Sequence, residues 1–560
     1  MLDMFADMKN VISLDVSKFN TKNVIDMAGM FYGCIELKEL SIHNFDTSNV
    51  IDYSFQFYDC ENLISLDVSN FNTSKSTDFS YMFKLCKKIT ELNVTNFDSS
   101  KVTDMTNMFS SCQNLENIDL KNFDTKNVSG IGGMFENCEK LKNLNLENFV
   151  TSEIIDMSNM FLGCKSLKEI NLINFNTSNV RRMSSLFEGC ENLTSIKLGN
   201  NFDTKNVEYM ANMFKKCKNL KTFDFSKLDT KKVKNMGGMF WGCESLEIAS
   251  GLNLLDTNNV NDMSNMFNGV KTLRVINLNN FKTQNVNSME SMFENCDNLQ
   301  SVNLENFIFT EVVSMKAMFK GDINLEYVNF GNNIDTKYLR NMQEMFSMCS
   351  SIKSLNLNKF NTINVLYMDY MFNDCDKLTE LDISNINTEQ LQTASYMFNN
   401  CISLVNLNIK NFEFKNAINI GKMFNNCISL KNLQISNFSL AHSISEMDNL
   451  FNRCENLTSL DLSYLDTSYV SNFSGIFNEC KSLSELKINF NTESASTMEN
   501  LFANCLTLKN LDITSFNTQN CQNFENIFLN DENLELYYKA KNCPNLEIPP
   551  FVNAHDMSEG

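Results

Sequence analysis

Proline is almost missing from this 560-residue chain: there are three, and Pro544, Pro549 and Pro550 all fall in the last 17 residues. A long chain with no proline before residue 544 does not read as a string of domains joined by linkers. Histidine is as scarce. His43, His442 and His555 stand far apart and leave little for histidine-based metal or nucleophile chemistry. Basic residues are outnumbered, 47 Lys and Arg against 67 Asp and Glu, a net charge of −20. That balance disfavours nucleic acid, because phosphate contacts need clustered cations. No apolar run reaches the roughly 18 residues of a membrane-spanning helix. What the chain does have is 43% apolar residues, enough for a core, with 46 Phe, 32 Met and 19 Cys.

Those three residue types recur in phase. The phrase Met-x-x-Met-Phe-x-x-Cys-x-x-Leu appears in 21 copies, its Phe running from Phe5 and Phe31 to Phe502 and Phe528 in steps of 25 to 27. The position three after the Phe is Cys in 17 copies, and 29 of the 32 Met lie one or four residues before it. Met27, Met30, Phe31 and Cys34 have the i, i+3, i+4, i+7 spacing of one helix face, with Asp26 placed as an N-cap and repeated by Asp52, Asp104, Asp156 and Asp262. Leu37-x-x-Leu40-x-Ile42 then alternates as a short strand, and Phe45 to Val50 turns the chain back. One unit cannot bury its own apolar stripe, whereas stacked units cover one another. The reading is therefore α/β: a solenoid of about 21 coils over residues 1–530, with a degenerate cap or tail over 531–560. Parallel strands would stack at ~4.8 Å and helices at about 8–10 Å, so the stack is expected to bend, strands on the concave face and short helices on the convex face. The one-residue insertions near Asn200-Asn201, Gly251 and Gly331-Asn332-Asn333 sit at strand exits, where a turn absorbs them.

Leu-x-x-Leu-x-Leu-x-x-Phe followed by Asp-Thr-Ser-Asn-Val and Met-x-x-Met-Phe-x-x-Cys resembles the 26-residue repeat of BspA-like leucine-rich-repeat surface proteins of bacteria and some parasitic protists; the stretch from Leu167 to Val180 is a close instance. The resemblance covers roughly residues 1–530. It implies a leucine-rich-repeat solenoid, a surface or secreted location, and a role in attachment or host contact. The chain itself carries no signal-peptide pattern, lipid-attachment cysteine or sorting motif, and opening directly on a predicted helix reads as a fragment. A cytoplasmic location therefore stays open.

The cysteines read as reduced thiols packed beside Met and Phe, with neighbour bridges or metal as alternatives; no Cys-x-x-Cys occurs. Cys543 lies outside the repeat and is the one thiol expected at the surface. Trp241 reads as a lone aromatic facing outward on the helix side. No coil holds a distinct acid, base and nucleophile, so no enzyme, cofactor or metal is expected.

The strand columns vary more. Ten residues after the repeat Phe, the first 20 copies hold seven Asp (Asp15, Asp67, Asp119, Asp224, Asp382, Asp461 and Asp512) and eight Asn, completed by Ser41, Ser250, Gln434, Lys197 and Lys487. Two residues earlier stand Glu39, Glu91, Glu169, Glu380 and Glu485, and one aromatic, Tyr327. Together these columns carry a net charge of −10, half that of the chain, on one inner strip. Two readings stand. The strip is a solvated sheet face on which Asn side chains hydrogen-bond along the ladder, or it is a surface that attracts basic partners. The functional expectation is a non-catalytic repeat binding protein, an adhesin contacting host or matrix proteins through the thirteen strip residues from Asp15 to Asp512; the alternative is an intracellular scaffold for protein–protein interaction.

Overall fold

A hydrogen-bond ladder one coil long in register builds the molecule. The computed structural model describes all residues except 248–250, 333, 436–438, 441–443 and 559–560, and leaves the side chains of Ser439 and Leu440 undescribed. Ser250, Asn333 and His442, singled out above, lie outside the described residues. The chain divides into two compact units, Met1–Leu273 with Asn280–Lys282, and Arg274–Asn279 with Thr283–Gly560.

In the first unit the expected strand positions pair in parallel with their equivalents one coil away: Ser13–Asp15 with Glu39–Ser41, and Glu169–Leu172 with Ser195–Leu198. In the second unit Val275–Ile276, Ser301–Asn303 and Tyr327–Asn329 form one parallel set. Glu380–Asp382, Asn406–Asn408 and Asn432–Gln434 form another. After residue 530 the ladder gains two further rungs, Glu535–Tyr538 on Asn510–Asp512 and Asn553–Asp556 on Glu535–Tyr538.

The expected helices do not form. Two 3-10 turns, Phe225–Lys227 and Leu252–Leu254, are the only helical residues among those described. The α/β reading with short helices on a convex face is thus corrected to a parallel β-solenoid. The reason lies in the backbone. In all 21 copies the residues two before and two after the repeat Phe have positive φ, for example Gly29 (+58°) and Gly33 (+69°), or Asn107 (+56°) and Ser111 (+61°). A left-handed residue at every fourth position breaks a right-handed helix.

The segment becomes a run of tight turns instead. Met30, Tyr32 and Cys34 donate their N–H groups to the carbonyls of Met27, Gly29 and Phe31, three residues back. The alternate residues Met27, Gly29, Phe31 and Gly33 donate to Asp52, Ser54, Gln56 and Tyr58 in the next coil, at 2.8–3.1 Å. Every N–H from Met27 to Cys34 is thereby satisfied without a helix, the remaining one, on Ala28, going to Asp26 Oδ1 at 2.9 Å. The N-cap chemistry read from Asp26 is therefore present, but it opens a turn. Parallel bridges link the Asp26 column coil by coil, from Asp26 to Asp262 in the first unit and from Ser288 to Asn523 in the second. Both sides of a coil step by one backbone hydrogen bond, so wider helix spacing no longer provides a reason for the strand side to be concave.

The repeat Phe, Met and Cys fill the space between. Ring centroids of successive repeat Phe from Phe5 to Phe267 lie 5.6–6.1 Å apart and within 20° of parallel. From Phe293 to Phe528 the spacing is 5.1–6.1 Å. This is the offset stacking that aromatic quadrupoles favour. None of the 19 cysteines is in a disulfide and all are buried, Cys543 included at 4% exposure, which corrects its expected surface position. Sixteen of the repeat thiols have a described bond, and each of these donates to the carbonyl of the preceding coil's Phe, as Cys34 Sγ does to Phe5 O at 3.1 Å.

Candidate functional site

The strip of acids lies on the strand face, and all thirteen expected residues (Asp15, Glu39, Asp67, Glu91, Asp119, Glu169, Asp224, Tyr327, Glu380, Asp382, Asp461, Glu485 and Asp512) are solvent-exposed. The alternation that buries Leu92 and Val94 leaves Glu91 and Asn93 outside. Residues up to Asp224 belong to the first unit and those from Tyr327 onward to the second.

The Asp and Asn of the main column share a local task. In all fifteen, the side-chain Oδ1 accepts the backbone N–H two residues on, at 2.9–3.3 Å. This Asx turn ends each strand and starts the return. Asp and Asn serve it equally, so the column's composition has a structural cause; the charge of the seven Asp goes beyond it. Hydroxyl donation from the serine two residues on holds the carboxyls of Asp15, Asp67, Asp224 and Asp461 below the usual carboxylate range. For Asp119 and Asp382 the backbone N–H of the same turn is the leading cause.

The structure gathers some strip residues and offsets others. Glu91 and Asp119 line a shallow depression of about 430 Å³ with Asn93, Asn117, Asn143 and Asn145 in the first unit. Glu380 and Asp382 line one of about 810 Å³ with Asn406, Asn408, Asn432 and Gln434 in the second. Lysines face three of the acids: Lys121 Nζ stands 3.1 Å from Asp119, Lys197 3.1 Å from Glu169, and Lys487 4.0 Å from Asp461. All three pairs are exposed and contribute little to stability. The Asn ladder expected on this face forms in places, Asn432 to Asn406 at 2.7 Å and Asn329 to Asn303 at 2.8 Å. A longer one, which the sequence reading missed, runs on the opposite, turn side through Asn373, Asn399, Asn425, Asn452 and Asn478 at 2.6–2.7 Å.

Two further sets of residues also escaped the sequence reading. One is the buried Thr column. Thr125 Oγ1 donates to Val150 O at 2.9 Å and accepts Val150 N–H at 2.8 Å, so a hydroxyl is spliced into the ladder between coils. Thr21, Thr73 and Thr151 do the same. Its signal was the near-invariant Thr of the Asp-Thr-Ser-Asn-Val phrase. The other is a pair of carboxylates in the thiol column. Asp322 and Asp531 are buried, and each accepts a cysteine N–H, from Cys296 and Cys505 respectively, at 2.8 Å through Oδ1, while Oδ2 has no partner. Burial pushes Asp322 well above the carboxylate range and Asp531 up to about 7.

Burial likewise raises the thiols, Cys112, Cys190 and Cys243 to about 12, so they are poor nucleophiles. Among the described residues no group of three His, Cys, Asp or Glu could hold a metal ion, and no helix is long and apolar enough to cross a membrane.

A family model described as "Mycoplasma protein of unknown function, DUF285" matches residues 1–93, 91–171, 155–254, 245–330, 324–438 and 426–541. No curated protein matches the chain. Similar solved structures include a leucine-rich repeat protein from Bacteroides ovatus, 15% identical over 75% of this chain and 86% of that one, TM-score 0.32. Another, from Eubacterium ventriosum, is 20% identical over 58% and 81%, TM-score 0.32. A leucine-rich cell surface protein from Faecalibacterium prausnitzii is 14% identical over 57% and 83%, TM-score 0.24. The coil geometry above stands on this chain's own hydrogen bonds.

Proposed function

The chain belongs to the DUF285 family, whose description leaves function open, and we propose that it is a non-catalytic repeat protein that binds basic partner proteins through the acidic strand face. The observation that carries this reading is the surplus charge. An Asx turn needs an oxygen, which Asn supplies at eight positions, yet seven positions use Asp, and Glu joins them in a column with no turn to make. Exposed carboxylates of one sign, repeated at coil spacing, steer cationic partners and give contacts that are weak singly and additive in number. The repeat's resemblance to BspA-like proteins supports the more specific reading of a surface or secreted adhesin that meets host or matrix proteins. Near-equivalence of the coils supports a binding role over catalysis, since among the described residues no coil sets an acid, base and nucleophile of its own together.

The test uses the full chain and labelled hen lysozyme as a basic probe protein. Affinity is expected to fall about tenfold or more between low and high salt. The double change Glu380→Gln, Asp382→Asn should weaken it at low salt without altering the thermal midpoint, because Asn keeps the turn to Ser384. Binding indifferent to both salt and the double change would remove the strand face from consideration.

A further inference from the structure

Aromatic residues occupy left-handed backbone positions at two places on the turn face. The column two before the repeat Phe holds Gly, Asn or Asp in twelve of 21 copies, the residues that tolerate positive φ. Four copies instead carry a ring there: Phe55 (+56°), Tyr81 (+58°), Tyr370 (+56°) and Tyr396 (+58°). They come as neighbours in the stack. The Phe55 and Tyr81 rings lie 4.5 Å apart and 5° from parallel, those of Tyr370 and Tyr396 4.6 Å and 11°. A bulky side chain at such a φ is strained, and strain of this kind concentrates at functional sites.

In the first unit Tyr58 and Tyr32 extend the pair into a four-ring platform, with Phe55–Tyr58 at 5.7 Å and Tyr32–Tyr58 at 5.0 Å. Tyr32 is 37% and Phe55 36% exposed. A groove of about 640 Å³ runs beside them, lined also by Leu2, Ala6 and the carboxylates of Asp3 and Asp7. On the turn face of both units the chain's own lysines cover other rings: Lys84 Nζ is 5.4 Å from the centre of Tyr81, Lys215 4.4 Å from that of the half-buried Trp241, and Lys422 5.0 Å from that of Tyr396. No Lys or Arg lines the groove at Tyr32 and Phe55. Two cations stand nearby: Lys9, 3.5 Å from Asp7 in an exposed pair, and the Met1 ammonium, which donates to Asp26 O at 2.8 Å.

We propose that this groove receives an arginine side chain of a partner protein, its guanidinium lying on the Tyr32 and Phe55 rings with Asp3 and Asp7 as counter-ions. Ring faces attract cations, and the planar guanidinium stacks on them while pairing with carboxylate. The inference rests on the reading of the chain as a binding protein but places a second contact on the other face, so the two fail separately.

The probe is a fluorescein-labelled Arg-Gly-Arg-Gly-Arg peptide, compared with the same peptide carrying citrulline, with anisotropy measured on the full chain. The arginine peptide should bind about fivefold tighter or more. The double variant Tyr32→Leu, Phe55→Asn should lose about that factor. Its thermal midpoint should hold or rise, because Asn suits the φ of position 55. Made in the strand-face background Glu380→Gln, Asp382→Asn, the ring substitutions should still lose about that factor. Equal binding of the citrulline peptide, undiminished binding by the ring variant, or no loss on ring substitution in the strand-face background would each overturn the proposal. A fall in the midpoint for Phe55→Asn alone would show that the ring serves the fold and would overturn it as well.

Discussion

At the scale of single residues, the backbone sign at two positions per coil decides the fold. Gly189 has φ +72° and room for a methyl, its virtual Cβ meeting nothing closer than 3.4 Å. Gly189→Ala should therefore cost about 1–2 kcal/mol for the left-handed conformation alone. Lys216, exposed at φ +60°, makes the opposite case, and Lys216→Asn should gain a few tenths to about 1 kcal/mol. In a helix both signs would reverse, since Ala exceeds Gly by about 1 kcal/mol and Lys exceeds Asn. Chemical denaturation of the two variants reads both signs. Asp531 offers a second residue-scale test. Its folded pKa of about 7 lies above the unfolded value, so its contribution is full below about pH 4 and is lost as pH rises through 7. Asp531→Asn keeps the acceptor for Cys505 N–H and removes the titration. The thermal midpoint of the variant, set against the wild type, should gain progressively between pH 4 and 7. A difference constant over that range would contradict the raised pKa.

At the scale of the coil, much was legible and one inference failed. Burial of Met, Phe and Cys, the parallel strands and the one-coil register all followed from periodicity, because columns that repeat must stack on themselves. The helix did not follow. Met27, Met30, Phe31 and Cys34 share a face in a helix and also in this turn run, so their spacing could not separate the two. The separating signal stood beside them: fifteen of the 21 residues two after the repeat Phe are Gly, Asn or Asp, a choice that opposes a helix and suits positive φ. The strip was legible as exposed, but its Asp and Asn were not legible as turn residues, because that role depends on the N–H two positions on. The Thr column provides the coil-scale prediction. Thr125→Val preserves shape but leaves a buried site without the hydroxyl that serves the N–H and carbonyl of the exposed Val150. It should cost about 1–2 kcal/mol, whereas Thr125→Ser should cost less than half of that. Equal losses for the two would mean that the methyl, not the hydroxyl, matters.

At the scale of the whole molecule, eleven of the 21 coils put a strip carboxylate at similar positions on the strand face of each unit, while the four-ring platform occurs once among the described residues. That difference separates a distributed electrostatic contact from a local one, and the two binding tests above read them independently. The buried thiols bear on the whole chain too: with all 19 cysteines buried, Cys543 among them, Ellman's reagent should modify none at a measurable rate before unfolding, and one fast-reacting thiol would restore the surface placement of Cys543. Everything else depends on the claim that backbone ladders and left-handed turns, not helices, close each coil. Far-ultraviolet circular dichroism tests it most directly. The account predicts a spectrum without the paired 208 and 222 nm minima of helix; those minima at the strength expected if Met27–Cys34 and its 20 equivalents were helical would contradict it.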